Sequence, residues 1–365
     1  MDFSRLGRST INGVTGLKTR LENATASQGE NLAPLILFIH PNWQLGGVEM
    51  TNTRWRWCLE SLGCSVRFLD SDWSVVDACS GVDTVEWSQG TVVSREVKVI
   101  LCQGYLLRSQ FFKILRFKQK NRGAKFYLTE RNSFDQYANG LRGIFQYLGL
   151  YLFINIFGIS VIANSKDILK SSPRLFCDAQ VIPNPRFDEK DIQNLTSLSF
   201  GSRSPTPTLA GFFRWADQKN PDFVRRVADS TPVDVDFKVF CNESDHHWQY
   251  DFVDPLLELS RLRPIVFLCS KYEGLPNIII EALALNCPVV VPSSMSGLTE
   301  FESLSPELVF CYEQNDLASF WEAYSIAAKY PIEQKVNWHI VEYFSTQNND
   351  IVSQFRSLFC YQLSD

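Results

Sequence analysis

The 365 residues include ten cysteines with no CxxC pair among them, and only four histidines, which are scattered. Without CxxC, redox dithiol chemistry and zinc-ribbon folds lose their usual signature. The scatter of His40, His246, His247 and His339 removes metal-ligand spacing, leaving the adjacent His246–His247 as the one weak pair. No GxGxxG follows a strand-like run, which excludes the dinucleotide-binding fingerprint. No short internal repeat is present, and no apolar run with a cleavage site opens the chain, so no signal peptide is expected. Several cysteines sit in apolar runs such as "IVFLCS" and "LVFCYE", the setting of buried, reduced thiols in a cytosolic protein.

What is present begins with charge. The net charge is −5, but residues 1–190 carry 23 Lys+Arg against 17 Asp+Glu, whereas residues 191–365 carry 12 against 23. A basic front half and an acidic back half point to two domains with different partners. The window 108–125 holds Arg108, Lys113, Arg116, Lys118, Lys120, Arg122 and Lys125 and no acid. It reads either as a solvated surface helix or as a contact for an anionic membrane surface or acceptor. The run "GIFQYLGLYLFINIFGISVIANS" has no charge between Arg142 and Lys166, and Gly158 divides it. A buried helix feeding a buried strand accounts for both pieces better than a membrane span does.

Near-continuous apolar strands alternate with helical stretches. "PLILFIH", "SVRFLD", "VKVILCQ", "KFYLTE" and "SVIANS" occupy the front half, and "LAGFF", "FKVFC", "IVFLCS", "PVVVPSS" and "ELVFCYE" the back half. Such runs form parallel sheets covered on both faces. "HWQYDFVDPLLELSRL" reads as helix interrupted at Pro255, and residues 316–360 as helical. The expected division is a mobile arm at 1–30, a Rossmann-like domain at 31–193, a Ser/Pro-rich linker at 194–208, a second such domain at 209–340, and a C-terminal helix at 341–365 that crosses back.

Three constellations carry chemistry. "NWQLGGVEM" places Gly46 and Gly47 between the first strand and a helix, where backbone approaches an anion. "GFFRWADQKNPD" puts Arg214 and Lys219 just past a strand end, as exposed surface cations or as a bracket for a diphosphate. "SKYEGLPNIIIEALA" follows the strand "IVFLC" with Glu273 in a loop, Gly274, Leu275, Pro276 and Asn277 at a helix start, and Glu281 one turn inside. A ligand with hydroxyls at both ends and phosphate between, such as a nucleotide-sugar, would use all three features.

The ordered motifs "GGVE", "VIANS", "VIPNP", "G-F-F-R-x4-K" and "S-x-x-E-G-L-P-N-x4-E-A" resemble the retaining glycosyltransferases of the GT-B fold, family 4 type, from about Leu35 to the C-terminus. The resemblance implies an α/β architecture of two Rossmann-like doubly wound parallel-sheet domains facing a cleft. The first would hold the acceptor and the second, 209–340, the donor. It also implies roles. Glu273 would contact the transferred sugar and Glu281 the ribose. Arg214 and Lys219 would bind the diphosphate, Gly46 and Gly47 would line the donor cleft, and Asn184 of "IPNP" would sit at the domain junction. Many members carry a histidine near the acceptor; here that place reads "LTERNSF", so Glu130 and Arg131 are the acceptor-side residues.

The stretch between "FKVFC" and "IVFLC" is short by about one β–α unit, so the second domain is expected to be abbreviated and the nucleotide base is left open. The family works without a resident cofactor or metal, and the cleft motifs carry no DxD cluster. A nucleotide-diphosphate sugar would be donor and a glycan or lipid-linked hydroxyl the acceptor, with no nucleic-acid partner and a cytoplasmic, peripheral location. A noncatalytic subunit and an epimerase of the same fold share these features.

Overall fold

The computed structural model describes residues 34–40, 47–70, 72, 97–102, 106–131, 140–171, 179–201, 206–243, 245–251, 253–331 and 333–360. The arm expected at 1–30 and Gly46 lie outside the described residues. Strand β1 (Leu35–Ile39) is buried along its whole length. It lies between β2 (Ser65–Leu69) and β3 (Val97–Leu101), with Leu35 level with both Ser65 and Val97. With β4 (Lys125–Glu130), β5 (Ile159–Ala163) and β6 (Ala179–Val181) they form one parallel sheet in the order β2-β1-β3-β4-β5-β6.

Alternation along each strand divides the core in two. Leu35, Leu37, Ile39, Val97, Val99 and Leu101 face helices α2 (Leu106–Lys120) and α3 (Gly140–Phe157), meeting Ile114, Phe117, Phe153, Ile154 and Phe157. Ile36, Phe38, Val66, Phe68 and Ile100 face the other way, against Trp55, Cys58 and Leu59 of α1 (Gly47–Ser61). A short helix, α4 (Lys166–Ser171), follows β5, and α5 (Glu189–Ser197) follows β6.

The second sheet contains β7 (Thr208–Phe212), β8 (Asp236–Phe240), β9 (Gln249–Tyr250), β10 (Ile265–Phe267), β11 (Val289–Pro292) and β12 (Val309–Tyr312), ordered β12-β11-β10-β7-β8-β9 and parallel throughout. Helices α6 (Pro221–Asp229), α7 (Pro255–Leu262), α8 (Asn277–Ala284), α9 (Leu298–Leu304), α10 (Leu317–Ala327) and α11 (Trp338–Tyr343) accompany it. The chain ends in α12 (Asn349–Phe359), whose Ile351, Phe355 and Phe359 pack into the α1 face of the first sheet.

The abbreviation has a definite form. All six strands are kept, but no helix stands between β8 and β9 among the described residues, and β9 is reduced to two residues. Parallel neighbours ordinarily need a crossover of about a dozen residues or more.

Three expectations are corrected. Pro255 does not interrupt a helix; it is the first residue of α7, with Asp254 as N-cap accepting from the Leu256 amide at 3.0 Å. Helix α5 runs to Ser197, so the extended crossing starts at Leu198 rather than 194. The apolar segment 143–165 does turn at Gly158, φ +55°, into β5, but its helix is buried on one side only. No helix among the described residues is long and apolar enough to cross a membrane.

Candidate functional site

Strands β7 and β10 are parallel neighbours, with Ile265 level with Leu209. They leave the sheet on the same side, at the point where the strand order reverses and α/β sheets open a crevice. After β7 the chain makes a 3-10 turn, Asp217–Lys219, ended by Asn220 in the left-handed conformation (φ 57°, ψ 56°), and Pro221 then opens α6. The Lys271 amide donates to the Gln218 carbonyl at 2.8 Å, and the Gln218 side chain donates to the Tyr272 carbonyl at 3.0 Å. Stitched in this way, the two loops bring the Lys219 ammonium onto Glu273 Oε1 in an ion pair. Arg214 is exposed and makes no ion pair among the described residues.

Behind Glu273 the chain runs against the first sheet. A Cβ on Gly274 would stand 1.7 Å from the Arg131 carbonyl oxygen and 3.0 Å from Asn164 Oδ1. Only glycine permits that approach. The Arg131 amide donates to Glu130 Oε1 at 3.1 Å, and its guanidinium donates to Asn52 on α1. The ends of β4 and β5, helix α1 and the 273–277 loop therefore meet. Leu275 is buried, and Pro276 delivers the chain into α8 without any side-chain cap. The backbone N–H groups of this helix start, and its dipole, favour an anion.

Glu281 behaves differently. It is buried on α8, where Arg186 Nε donates to its Oε1. Arg186 also holds Asp191 at 2.9 Å, and Asp191 holds Arg54 of α1 at 3.1 Å. Asp191 is the N3 residue of a capping box with Asp188, which fixes its carboxylate. Backbone bonds from the Phe187 amide to the Phe344 carbonyl (3.1 Å) and from the Thr346 amide to the Phe187 carbonyl (2.8 Å) pin the crossing that carries Arg186. Burial pulls the Arg186 guanidinium down, but Glu281 and Asp191 more than offset this and hold it above the usual arginine range. Glu281 Oε2 and Asn184 Oδ1 are buried and accept no hydrogen bond among the described residues.

The structure thus brings together Lys219, Glu273, Gly274, Leu275, Pro276, Asn277, Glu130 and Arg131. It places Glu281 in a separate ion pair and Arg214 in solvent. Gly47 is the first residue of α1.

Arg186, Asp191 and Arg54 were missed by sequence reasoning; the D-x-x-D box at 188–191 was their one local signal. A second missed pair joins α4 and α9. Asp167 accepts from the Gly297 and Thr299 amides at 3.1 and 3.3 Å, while Glu300 accepts from the Lys166 amide at 2.8 Å. Each helix start is capped by a carboxylate from the other helix.

Two parallel six-stranded sheets, with this loop–helix site at the strand ends, define the GT-B fold. No family model and no curated protein matches the chain. Solved structures do. Sucrose-phosphate synthase from Thermosynechococcus elongatus superposes with a TM-score of 0.61 at 14% identity, over 90% of this chain and 98% of that one. Anabaena HepE in complex with UDP-glucose gives 0.57 at 14% identity, over 89% and 100%. The pneumococcal O-GlcNAc transferase GtfA in complex with UDP and GlcNAc gives 0.57 at 12% identity, over 89% and 98%. TarM is matched at 0.52 and 15% identity, but the chain spans only 55% of its length.

Proposed function

We propose that the protein transfers a sugar from a nucleotide-diphosphate sugar to an acceptor hydroxyl on a glycan or lipid-linked glycan, with retention at the anomeric carbon, as in the family 4 type. The observation that carries this reading is the Lys219–Glu273 ion pair beside the uncapped start of α8, at the switch point of the second sheet. The likeness to structures that bind UDP-glucose, or UDP with GlcNAc, supports it.

In the structure the two charges neutralise each other. A donor separates them. Its sugar hydroxyls take Glu273, and its β-phosphate takes Lys219 and the backbone N–H groups of Leu275 and Asn277. As the anomeric carbon–oxygen bond breaks, negative charge grows on that phosphate, and the fixed positive charge stabilises the transition state more than the ground state. Exposed Arg214 swings onto the outer phosphate oxygens. Glu281 offers Oε2 to a ribose hydroxyl while Oε1 stays on Arg186. The leaving phosphate takes the acceptor proton on the same face, which gives retention. Glu130 and Arg131 border the acceptor.

The test is a panel of UDP-, GDP- and ADP-sugars screened by thermal shift, followed by turnover of the hit with oligosaccharide acceptors. A donor that binds the native state raises its melting temperature, and Lys219→Ala removes that rise. If no nucleotide-sugar shifts the melting temperature, the reading fails in favour of a noncatalytic subunit. If donor is consumed with no acceptor present, it fails in favour of an epimerase. An inverted product anomer, seen by NMR, defeats retention.

A further inference from the structure

Helix α3 is apolar around most of its circumference and carries no charge after Arg142. Its inner side, Phe153, Ile154 and Phe157, packs on the first sheet. Ile144, Phe145, Leu148, Leu152 and Ile156 repeat at helical spacing on the outer side and are exposed, Phe145 to 70% and Ile156 to 72%. Asn155, the polar residue on this arc, turns its amide back onto the Tyr151 carbonyl at 2.9 Å. Helix α2 runs alongside: Phe111 packs edge-on against both Phe153 and Phe157, and Lys118 donates to the Phe157 carbonyl.

On α2, Phe112 (79% exposed), Arg116 and Lys120 follow at intervals of four and form one outward stripe, and exposed Arg122 comes just after the helix. Large apolar side chains bordered by cations are thus gathered on one flank of the first sheet. Single exposed apolar residues need no explanation, but a continuous patch of this kind marks an interaction surface.

We propose that the outer face of α3, with Phe112 and the Arg116, Lys120 and Arg122 cations, docks on an anionic bilayer surface and lies in the interface without crossing it. Charge decides the occupant. Phe145, Leu152 and Ile156 enter the acyl boundary, while the flanking cations stay at phosphate level among anionic head groups. A two-fold contact between copies of the chain would instead bring two sets of like charges together. This surface is independent of donor chemistry, since none of its residues belongs to the Lys219–Glu273 site.

The experiment is co-sedimentation of the full chain with vesicles of phosphatidylcholine alone and with about a third phosphatidylglycerol. Wild type is expected to pellet with the anionic vesicles at least tenfold more strongly than with the neutral ones. Phe145→Ser combined with Ile156→Ser is expected to lose at least tenfold of that binding, with an unchanged circular dichroism spectrum and an unchanged donor-induced thermal shift. Should the double variant not fold, Arg116→Glu with Lys120→Glu carries the test and is expected to abolish the preference for anionic vesicles. Full-length protein that stays in the supernatant overturns the proposal. So do variants that pellet like wild type, and so does an apolar-face variant whose only effect is to turn a dimer into a monomer in light scattering.

Discussion

The two glutamates of the E-x7-E stretch stand eight positions apart, one in the loop and one on the helix it opens, yet they occupy different physical worlds. Glu273, itself buried with a side chain 10% exposed, is met by Lys219, whose side chain remains 20% exposed. Glu281 is met by Arg186, which is tied through Asp191 to Arg54. The first pair joins two loops of one sheet. The second joins a helix of the second sheet to the crossing after β6 and to α1. A carboxylate whose counter-charge can move away is free for a substrate. A carboxylate locked into a buried network mainly holds the halves of the site in register, and only its second oxygen is left to bind.

The sharpest way to break this comparison is to remove Arg186. Breaking a buried pair leaves an uncompensated charge, and Arg186→Ala is expected to cost about 3–5 kcal/mol in urea denaturation. Replacing both partners, Arg186→Met with Glu281→Leu, is expected to restore most of that loss. A wild-type urea midpoint for Arg186→Ala would show that Glu281 is not held as described. Lys219→Ala should behave in the opposite way. Its stability falls by about 1–2 kcal/mol, while donor turnover falls about 10²–10³-fold, the scale of one lost transition-state donor. Equal losses of stability in the two alanine variants would erase the distinction between the pairs.

Much of this was legible in the chain, for local reasons. "LILFI" and "VVVP" read as buried parallel strands because both of their faces are apolar. The E-x7-E loop could be placed because a strand precedes it and an apolar helix follows. Asp254–Pro255 was an equally local signal, an N-cap followed by proline at the first helical position, and it was misread as a break. What could not be read depends on distance. Arg186 and Glu281 meet across 95 residues, and no short pattern specifies that pairing. Helix α3 hid its exposed face because a helix apolar on most sides gives no periodic contrast between inside and outside. Strand β9, at two residues, is too short to leave a signal.

The meeting of the two sheets can be tested at a smaller scale. Gly274→Ala sets a methyl group 1.7 Å from the Arg131 carbonyl, closer than any real contact, so the loop must move off β4. Overpacking of this kind costs about 1–3 kcal/mol, and the displaced loop is expected to weaken donor binding in the thermal-shift assay as well. Gly274→Ala with wild-type stability and donor shift would mean that the approach of the two backbones is not needed.

The smallest effect separates capping from charge at the α4–α9 contact. Asp167 accepts from the amides of Gly297, the N-cap of α9, and Thr299, and from the Thr299 hydroxyl at 3.1 Å, while its bond to exposed Lys170 at 3.2 Å adds little. Asp167→Ala is expected to lose about 1 kcal/mol, the usual cost of a missing helix cap. Asp167→Asn keeps an oxygen acceptor without the charge and should recover most of that. The measurement is the pair of urea midpoints against wild type. If asparagine is as damaging as alanine, the carboxylate charge rather than its hydrogen bonds holds α9 to α4. The reciprocal cap at Glu300, whose Oε2 has no partner among the described residues, then carries the same electrostatic role.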